Sequence, residues 1–153
     1  MALLLTLDAS VFVAACQPHE PGYAASLALL KSMLETDAPL VEPAILPLEV
    51  GAALCRAGRD AAAALDYAEG IFTLPHLVLA GLDERWARRA LALALECRLR
   101  GADALYVTVA TQYGARLVTL DAEQLERAPA AVHACKPDAV VDLVRSRTEE
   151  ADA

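Results

Sequence analysis

Short apolar runs alternate along the chain with longer stretches in which apolar residues recur every three to four positions. The short runs are typical of buried strands, and the longer stretches have the spacing of amphipathic helices. The runs predict five strands, at residues 3–7, 40–42, 76–79, 116–120 and 131–134. The stretches predict helices at residues 9–16, 22–35, 61–72, 84–99 and 103–113, a helix that begins at Pro43 or Pro47 and ends at Gly58, and a last helical turn at 140–145.

The residues that flank these stretches indicate where several helices begin and end. Asp60 and Asp83 each precede a helix, where an Asp side chain accepts hydrogen bonds from the first backbone N–H groups. Gly101 and Gly114 follow two helices and are suited to close them. Strands separated by helices, without a long linker, predict one α/β domain with a mainly parallel sheet. We expect this domain to span residues 1–147 and the polar residues 148–153 to form a disordered tail.

The composition indicates a folded protein without a membrane span. The chain has 153 residues, of which 57% are hydrophobic, enough for a sizeable core and too many for a disordered chain. No apolar run reaches the ~18 residues of a membrane-spanning helix, and residues 1–7 lack the basic start of a secretory signal. The four cysteines and three histidines are scattered, in none of the spacings that zinc sites use. We expect reduced thiols in a cytoplasmic protein.

The charge balance limits how this chain can meet nucleic acid. Its 13 Lys and Arg residues against 21 Asp and Glu residues give a formal net charge of −8. A chain this acidic does not attract nucleic acid through its overall field. Any nucleic-acid site must therefore be a local patch or be helped by bound cations.

Two acids follow predicted strands in the same local sequence. Both Asp8 and Asp121 end a Thr-Leu-Asp triplet at the end of an apolar run. Because the carboxyl ends of parallel strands face the ligand crevice, we expect these two side chains on one rim of the sheet. Each also has a structural explanation, since Asp after a strand is a common helix N-cap.

Two further acids stand near the starts of predicted helices, between apolar neighbours. Glu49 has alanines three and four positions on, so burying it is costly unless it is paired or bound to metal. Asp103 suits a helix N-terminus, which itself favours a carboxylate. If all four acids converge, cations must offset their repulsion, and oxygen ligands without His or Cys select Mg²⁺ or Mn²⁺. Hydroxyls at Ser10 and Thr119 could then hold water at the metal or simply support the turns.

The segments around these acids resemble the PIN domain, and more specifically the VapC toxins of toxin–antitoxin pairs. The similar segments are residues 7–13, 48–50, 102–107 and 117–121, and the resemblance extends over residues 3–143. It implies a three-layer α/β/α fold and a Mg²⁺- or Mn²⁺-dependent endoribonuclease. It assigns catalysis and metal binding to Asp8, Glu49, Asp103 and Asp121, with Ser10 and Thr119 in support. The implied reaction is attack of metal-activated water on an RNA phosphodiester, which leaves 5′-phosphate and 3′-hydroxyl ends.

The resemblance also implies partners, namely RNA, a VapB-like antitoxin and a second copy of the chain. The helix at 23–34 is apolar around much of its circumference, which fits either an antitoxin interface or an ordinary buried helix. Arg56 and Arg59 could contact RNA phosphates or belong to a solvated face. The alternative function is a catalytically silent PIN-like module that acts through a protein partner, and the presence of all four acids argues against it.

Overall fold

The computed structural model describes the backbone of residues 3–151 and the side chains of residues 3–147. Five strands form one sheet in this part of the chain: β1 Leu5–Leu7, β2 Leu40–Pro43, β3 Leu77–Ala80, β4 Arg116–Val118 and β5 Ala134–Cys135. Their order is β3-β2-β1-β4-β5, and every neighbouring pair is parallel. The sheet is therefore entirely parallel, and all five strands end at the same edge.

Helices cover both faces of the sheet. They are α1 Ala9–Ala14, α2 Tyr23–Thr36, α3 Leu46–Arg56, α4 Ala61–Ile71, α5 Glu84–Cys97, α6 Gly101–Tyr113, α7 Ala122–Arg127 and α8 Val141–Ala151, with a 3₁₀ turn at Pro137–Ala139. α6 packs on β1, β2 and β4 and against α5. α1 packs against α2 and α3, α3 packs against α4, and α2 packs against α8. The predicted three-layer α/β/α architecture is confirmed.

The centre of the core lies between β1 and α6. β1 is buried along its whole length. α6 is apolar around most of its circumference and is buried from Ala104 to Ala110 except at Leu105. An apolar helix of this kind is stable only when it is covered on several sides. Packing α6 onto the middle of the sheet fixes the position of its first turn, which carries Asp103.

Most predicted elements are present with ends shifted by one to three residues, as expected for boundaries read from sequence. Pro47 lies in the first turn of α3, where its missing N–H costs nothing. Asp60 and Asp83 cap α4 and α5 as predicted, and Gly114 closes α6 with a left-handed φ of 63°.

The prediction that Gly101 closes α5 is wrong. Arg98 takes the left-handed conformation there, with φ 54°, and its N–H donates to the Ala94 carbonyl. The next amide, of Leu99, donates to the same carbonyl at 3.0 Å. The helix therefore ends at Cys97, four positions before Gly101, which is the first residue of α6.

Two helices extend beyond the sequence-based expectations. No helix was predicted at residues 122–127, yet α7 forms there, directly after its N-cap Asp121. The last helical turn is longer than predicted, because the backbone of α8 continues to Ala151. Residues 152 and 153 lie outside the described part of the chain, and the domain boundary at residue 147 stays a prediction. Within residues 3–151, no helix has both the length and the apolar character needed to cross a bilayer.

Candidate active site

The site lies where β1 and β4 end side by side. β1 lies between β2 and β4: the chain passes from β1 to β2 and β3 on one side, and then crosses from β3 to β4 on the other side. Such a switch point opens a crevice at the carboxyl ends of the strands. Asp8 follows β1 directly, and its amide donates to the Val118 carbonyl at 2.9 Å. This bond fixes the end of β1 against the end of β4, which leads to Thr119 and Asp121.

Asp8 is buried, with 6% of its surface exposed, and its carboxylate accepts three hydrogen bonds. One oxygen accepts the Ser10 amide at 3.0 Å and the Thr119 hydroxyl at 3.4 Å. The other accepts Nε2 of Gln124 at 2.9 Å. Asp8 is therefore the N-cap of α1 and is at the same time linked through Gln124 and Thr119 to the segments that carry the other acids.

Gln124 joins two of the predicted acids. Its side chain is fully buried, and the same Nε2 that donates to Asp8 also donates to Oδ1 of Asp103 at 3.1 Å. A neutral amide thus holds two carboxylates close together and offsets part of their repulsion. Sequence reasoning missed this residue because α7 was not predicted. The available signal was Gln three positions after an N-cap Asp, a pattern that starts helices.

Arg100 bridges the carboxylates of Asp103 and Asp121. Its Nε donates to Oδ2 of Asp103 at 2.8 Å, and its Nη2 donates to Oδ2 of Asp121 at 2.9 Å. These two carboxylates raise the pKa of the Arg100 guanidinium. Burial raises the pKa of Asp103, while Arg100 works against that rise. Sequence reasoning did not single out Arg100, which stands three residues before the acid that it pairs with.

Glu49 is half-buried in the first turns of α3 and belongs to the same electrostatic cluster. Its pKa is raised, first by burial and then by the charges of Asp8 and Asp103, while the nearby Tyr106 hydroxyl and Arg100 lower it. Oε1 of Glu49 is buried and accepts no hydrogen bond. The structure thus brings all four predicted acids into one region and leaves a buried oxygen of Glu49 free for a ligand.

Glu42 is a fifth acid beneath the site and was not predicted. It is fully buried in β2, and its Oε1 accepts the Leu7 amide at 2.6 Å. The Val41 carbonyl, beside it, accepts the Thr6 hydroxyl at 2.8 Å instead of a strand amide. The Glu42 side chain therefore replaces a backbone partner at the end of β1, one residue before Asp8. Burial raises its pKa well above the usual range, and the charge of Asp8 adds to the rise.

We expect Glu42→Gln to stabilise the protein increasingly as pH rises above 4.5, the ordinary value for Glu. A raised pKa in the folded state means that unfolding releases a proton, so the wild type loses stability as pH rises from the unfolded pKa to the folded one. Gln keeps an acceptor for Leu7 and does not titrate. Thermal unfolding of both proteins at about pH 5 and about pH 8 measures the difference, and a pH-independent difference would contradict the assignment.

The two predicted hydroxyl residues support the turns around the acids. Ser10 Oγ accepts the Leu120 amide at 3.1 Å, and Thr119 Oγ1 accepts the Asp121 amide at 3.0 Å. The first bond ties the loop after β4 to the start of α1, and the second closes the turn within that loop. Asp121 in turn caps α7, since its Oδ1 accepts the Gln124 amide at 2.9 Å.

The predicted RNA-binding arginines are not joined to the acids by any hydrogen bond or ion pair within residues 3–147. Arg59 donates from Nη2 to the Cys16 carbonyl at 2.6 Å, which ties the end of α3 to the end of α1. Arg56 is exposed at the last turn of α3. Any role of theirs in RNA binding stays a prediction.

The donor set fits a hard divalent cation. Within the described side chains, no three His, Cys, Asp or Glu residues are grouped closely enough to enclose a metal as they stand. The Gln124 amide and the Arg100 guanidinium lie among the carboxylates and hold them in pairs. The ligands on offer are all oxygens, and buried oxygens of Glu49 and Gln124 have no partner. Oxygen-rich sites of this kind suit Mg²⁺ or Mn²⁺.

The family profile of the PIN domain matches residues 5–130. The chain therefore belongs to the PIN domain family. The match covers all four predicted acids and both residues, Arg100 and Gln124, that connect them. No curated protein sequence matches the chain significantly.

Solved structures share the fold at low sequence identity. The protein PAE2754 from Pyrobaculum aerophilum is 24% identical with a TM-score of 0.69, and the match covers 95% of this chain and 98% of that one. VapBC2 from Rickettsia felis, bound to a DNA fragment from its promoter, is 14% identical with a TM-score of 0.64 over 88% and 98%. VapC20 from Mycobacterium tuberculosis, a toxin that cleaves the sarcin–ricin loop, is 13% identical with a TM-score of 0.62 over 75% and 86%.

Proposed function

We propose that this protein is a divalent-metal-dependent endoribonuclease, the toxin of a VapBC-like pair. The observation that carries the proposal is the convergence of Asp8, Asp103, Asp121 and Glu49 at the switch point of the sheet, with too few protein cations to neutralise them. Membership in the PIN family supports nuclease activity. The structural likeness to toxin–antitoxin proteins supports the toxin role.

In this proposal the four carboxylates hold Mg²⁺ or Mn²⁺. A cation held there would supply positive charge against the phosphate and would lower the pKa of the water that attacks phosphorus. The chain itself orients the carboxylates: Gln124 and Thr119 fix Asp8, and Gln124 also fixes Asp103.

The proposed substrate class is RNA. The support comes from the toxin of similar fold that cleaves the sarcin–ricin loop. The test is to incubate the purified protein and Mg²⁺ with a mixed RNA pool and with DNA of the same sequences, and to map the product ends. We expect cuts in RNA alone, with 5′-phosphate and 3′-hydroxyl ends. Equal cutting of DNA would contradict the substrate class, and no cutting of either would favour the silent binding module.

An apolar groove supports the proposed antitoxin partner. A cavity of about 300 Å³ lies between α2 and α4, and nearly all of its lining is apolar, including Phe12, Leu30, Met33, Leu34, Tyr67 and Ile71. α2 buries one face in the protein, at Leu29 and Met33, and presents Leu30 and Leu34 to the groove. The apolar residues of α2 therefore pack into the core on one side of the helix and line an open surface on the other. We propose that an amphipathic antitoxin segment occupies this groove.

A second apolar surface supports the proposed homodimer. α5 buries only Ala90 and leaves Leu91 and Leu95 with 59% and 74% of their surfaces exposed. Leu82, 51% exposed, extends this surface, which borders a shallow groove at the junction with α6. A face of this kind can pair with itself about a two-fold axis.

We expect Leu91→Glu to dissociate the dimer. A carboxylate placed near its own symmetry mate loses hydration and meets a like charge, which weakens association at least about tenfold. Leu65→Glu is the control, because Leu65 is equally exposed at 59% and lies on α4. Sedimentation velocity at several concentrations measures the effect. A monomeric wild type, or equal weakening by both substitutions, would contradict this interface.

A further inference from the structure

Arg100 is the one basic side chain that contacts the acidic cluster within the described residues. Its guanidinium reaches Asp103 and Asp121 through two different nitrogens, at 2.8 and 2.9 Å. Most of the side chain is nevertheless in solvent, with 69% exposed. Arg100 is thus bound to the site only through its charged end.

Arg100 binds the carboxylate oxygens of Asp103 and Asp121 that Gln124 does not bind. The Oδ1 atoms of both carboxylates accept hydrogen bonds from Gln124, one from its side chain and one from its backbone. The Oδ2 atoms of both carboxylates accept from Arg100. A cation that takes the place of the Arg100 nitrogens on these two Oδ2 atoms displaces the guanidinium.

Arg100 can leave without disturbing the fold. It precedes α6 with an extended backbone, φ −65° and ψ 153°, and its side chain makes no capping bond to the helix. Asp103 keeps its bond to Gln124 when Arg100 moves away, and Asp121 keeps its role as the cap of α7. Ion pairs that reach into solvent are weak, so a divalent cation can replace this one.

The charge of the site then requires a second role for Arg100. Four carboxylates and one divalent cation still repel an RNA phosphate, and the rest of the chain is acidic. A planar guanidinium with paired N–H donors matches a phosphate as well as it matches a carboxylate. Once displaced, Arg100 is the basic group placed nearest to an incoming phosphodiester.

We propose that Arg100 binds the RNA phosphate in this site, and that it rests on Asp103 and Asp121 until a divalent cation displaces it. This assignment rests on the proposed metal-dependent cleavage of RNA. In this assignment, Arg100 and the metal compete for the same two oxygens, and Arg100 binds RNA directly. Loss of the guanidinium therefore has opposite effects on metal binding and on RNA binding.

The test compares the wild type with Arg100→Gln and with Arg88→Gln as the matched control. Arg88 is equally basic, is exposed, and is paired with the Glu84 carboxylate on α5, away from the acids. Mn²⁺ affinity is measured by calorimetry without RNA, and KM and kcat for RNA cleavage are measured at saturating Mn²⁺. We expect Arg100→Gln to bind Mn²⁺ about three- to tenfold more tightly and to raise KM at least about tenfold, with Arg88→Gln like the wild type in both.

Several results would overturn the proposal. Unchanged or weaker Mn²⁺ binding by Arg100→Gln would show that Arg100 does not compete with metal, and an unchanged KM would show that it does not bind RNA. A tighter Mn²⁺ affinity that Arg88→Gln shares would show an effect of net charge alone. A wild type that cleaves RNA while Arg100→Gln behaves identically refutes only this role. A wild type that neither binds Mn²⁺ nor cleaves RNA refutes the proposed function together with it.

Discussion

Asp8→Asn is expected to lower the rate of RNA cleavage by on the order of 100-fold or more. Asp8 lies at the centre of the cluster, where its carboxylate is linked through Gln124 to Asp103 and through Thr119 to the loop that carries Asp121. Asn has nearly the same shape but lacks the negative charge that a divalent cation requires. The measurement is the initial rate of cleavage of one RNA at saturating Mg²⁺.

The same substitution should leave the fold intact. Asn is as good an N-cap as Asp, so α1 keeps its first turn. Removing one of four clustered charges reduces their repulsion, and Oε1 of Gln124, which has no partner, can turn to accept from the new amide. We expect the melting temperature to fall by no more than about 3 °C, the shift that ~1 kcal/mol produces in a domain of this size, or to rise.

Asp60→Asn provides the control for Asp8→Asn. Asp60 caps α4 by accepting the Ala63 amide, so this change replaces an N-cap Asp by Asn outside the acidic cluster. It should cleave RNA at the rate of the wild type. Normal cleavage by Asp8→Asn, or an unfolded Asp8→Asn protein, would count against the role given to Asp8.

Gln124→Leu is expected to destabilise the metal-free protein by about 2–3 kcal/mol, because two carboxylates in a largely buried site each lose a hydrogen-bond donor. Both donors come from the single Nε2 atom, at 2.9 Å from Asp8 and 3.1 Å from Asp103. In a domain of this size that loss corresponds to a melting temperature lower by on the order of 10 °C. Mg²⁺ should restore part of it, since a cation replaces the missing positive partner.

The control for this substitution is Gln112→Leu, which changes an exposed glutamine that contacts Arg89 on the surface of α6. Its melting temperature should stay within about 2 °C of the wild type. Thermal unfolding with EDTA and again with Mg²⁺ gives all the values needed. Equal losses in both variants, or no recovery of Gln124→Leu with Mg²⁺, would contradict a bridging role for Gln124.

The sequence predicted the parts of the site that depend on strand ends. Asp8 and Asp121 follow apolar runs, and parallel strands must end at one edge, so their proximity follows from topology. Asp103 could be placed because an apolar helix begins around it. Glu49 could be singled out as an acid between apolar neighbours with no basic partner one turn on, and the resemblance to the PIN domain then assigned it to the site. Their roles as metal ligands stay predictions, although the structure places the four acids together.

The residues that connect the acids could not be predicted, because their roles depend on tertiary contacts. Gln124 donates to residues 116 and 21 positions away, and α7, which carries it, was not predicted. Arg100 donates a hydrogen bond to Asp121, which lies 21 positions later in the sequence. Glu42 appeared only as the end of a strand, and its burial depends on the spacing between β1 and β2 at Leu7. Helix ends that depend on a residue in the left-handed region, such as Arg98, are equally hidden from hydrophobic patterning.

The most direct test of the central claim is RNA cleavage by the purified wild type with Mg²⁺ or Mn²⁺, and again after EDTA, beside Asp8→Asn prepared in the same way. We expect cleavage that requires the cation, returns when the cation is restored in excess of EDTA, and is lost in the variant. Cleavage that survives EDTA, or that Asp8→Asn shares, would contradict a metal-dependent site built on these four acids. A wild type that is inactive under all conditions would also contradict this site, and it would favour the catalytically silent module that acts through a protein partner.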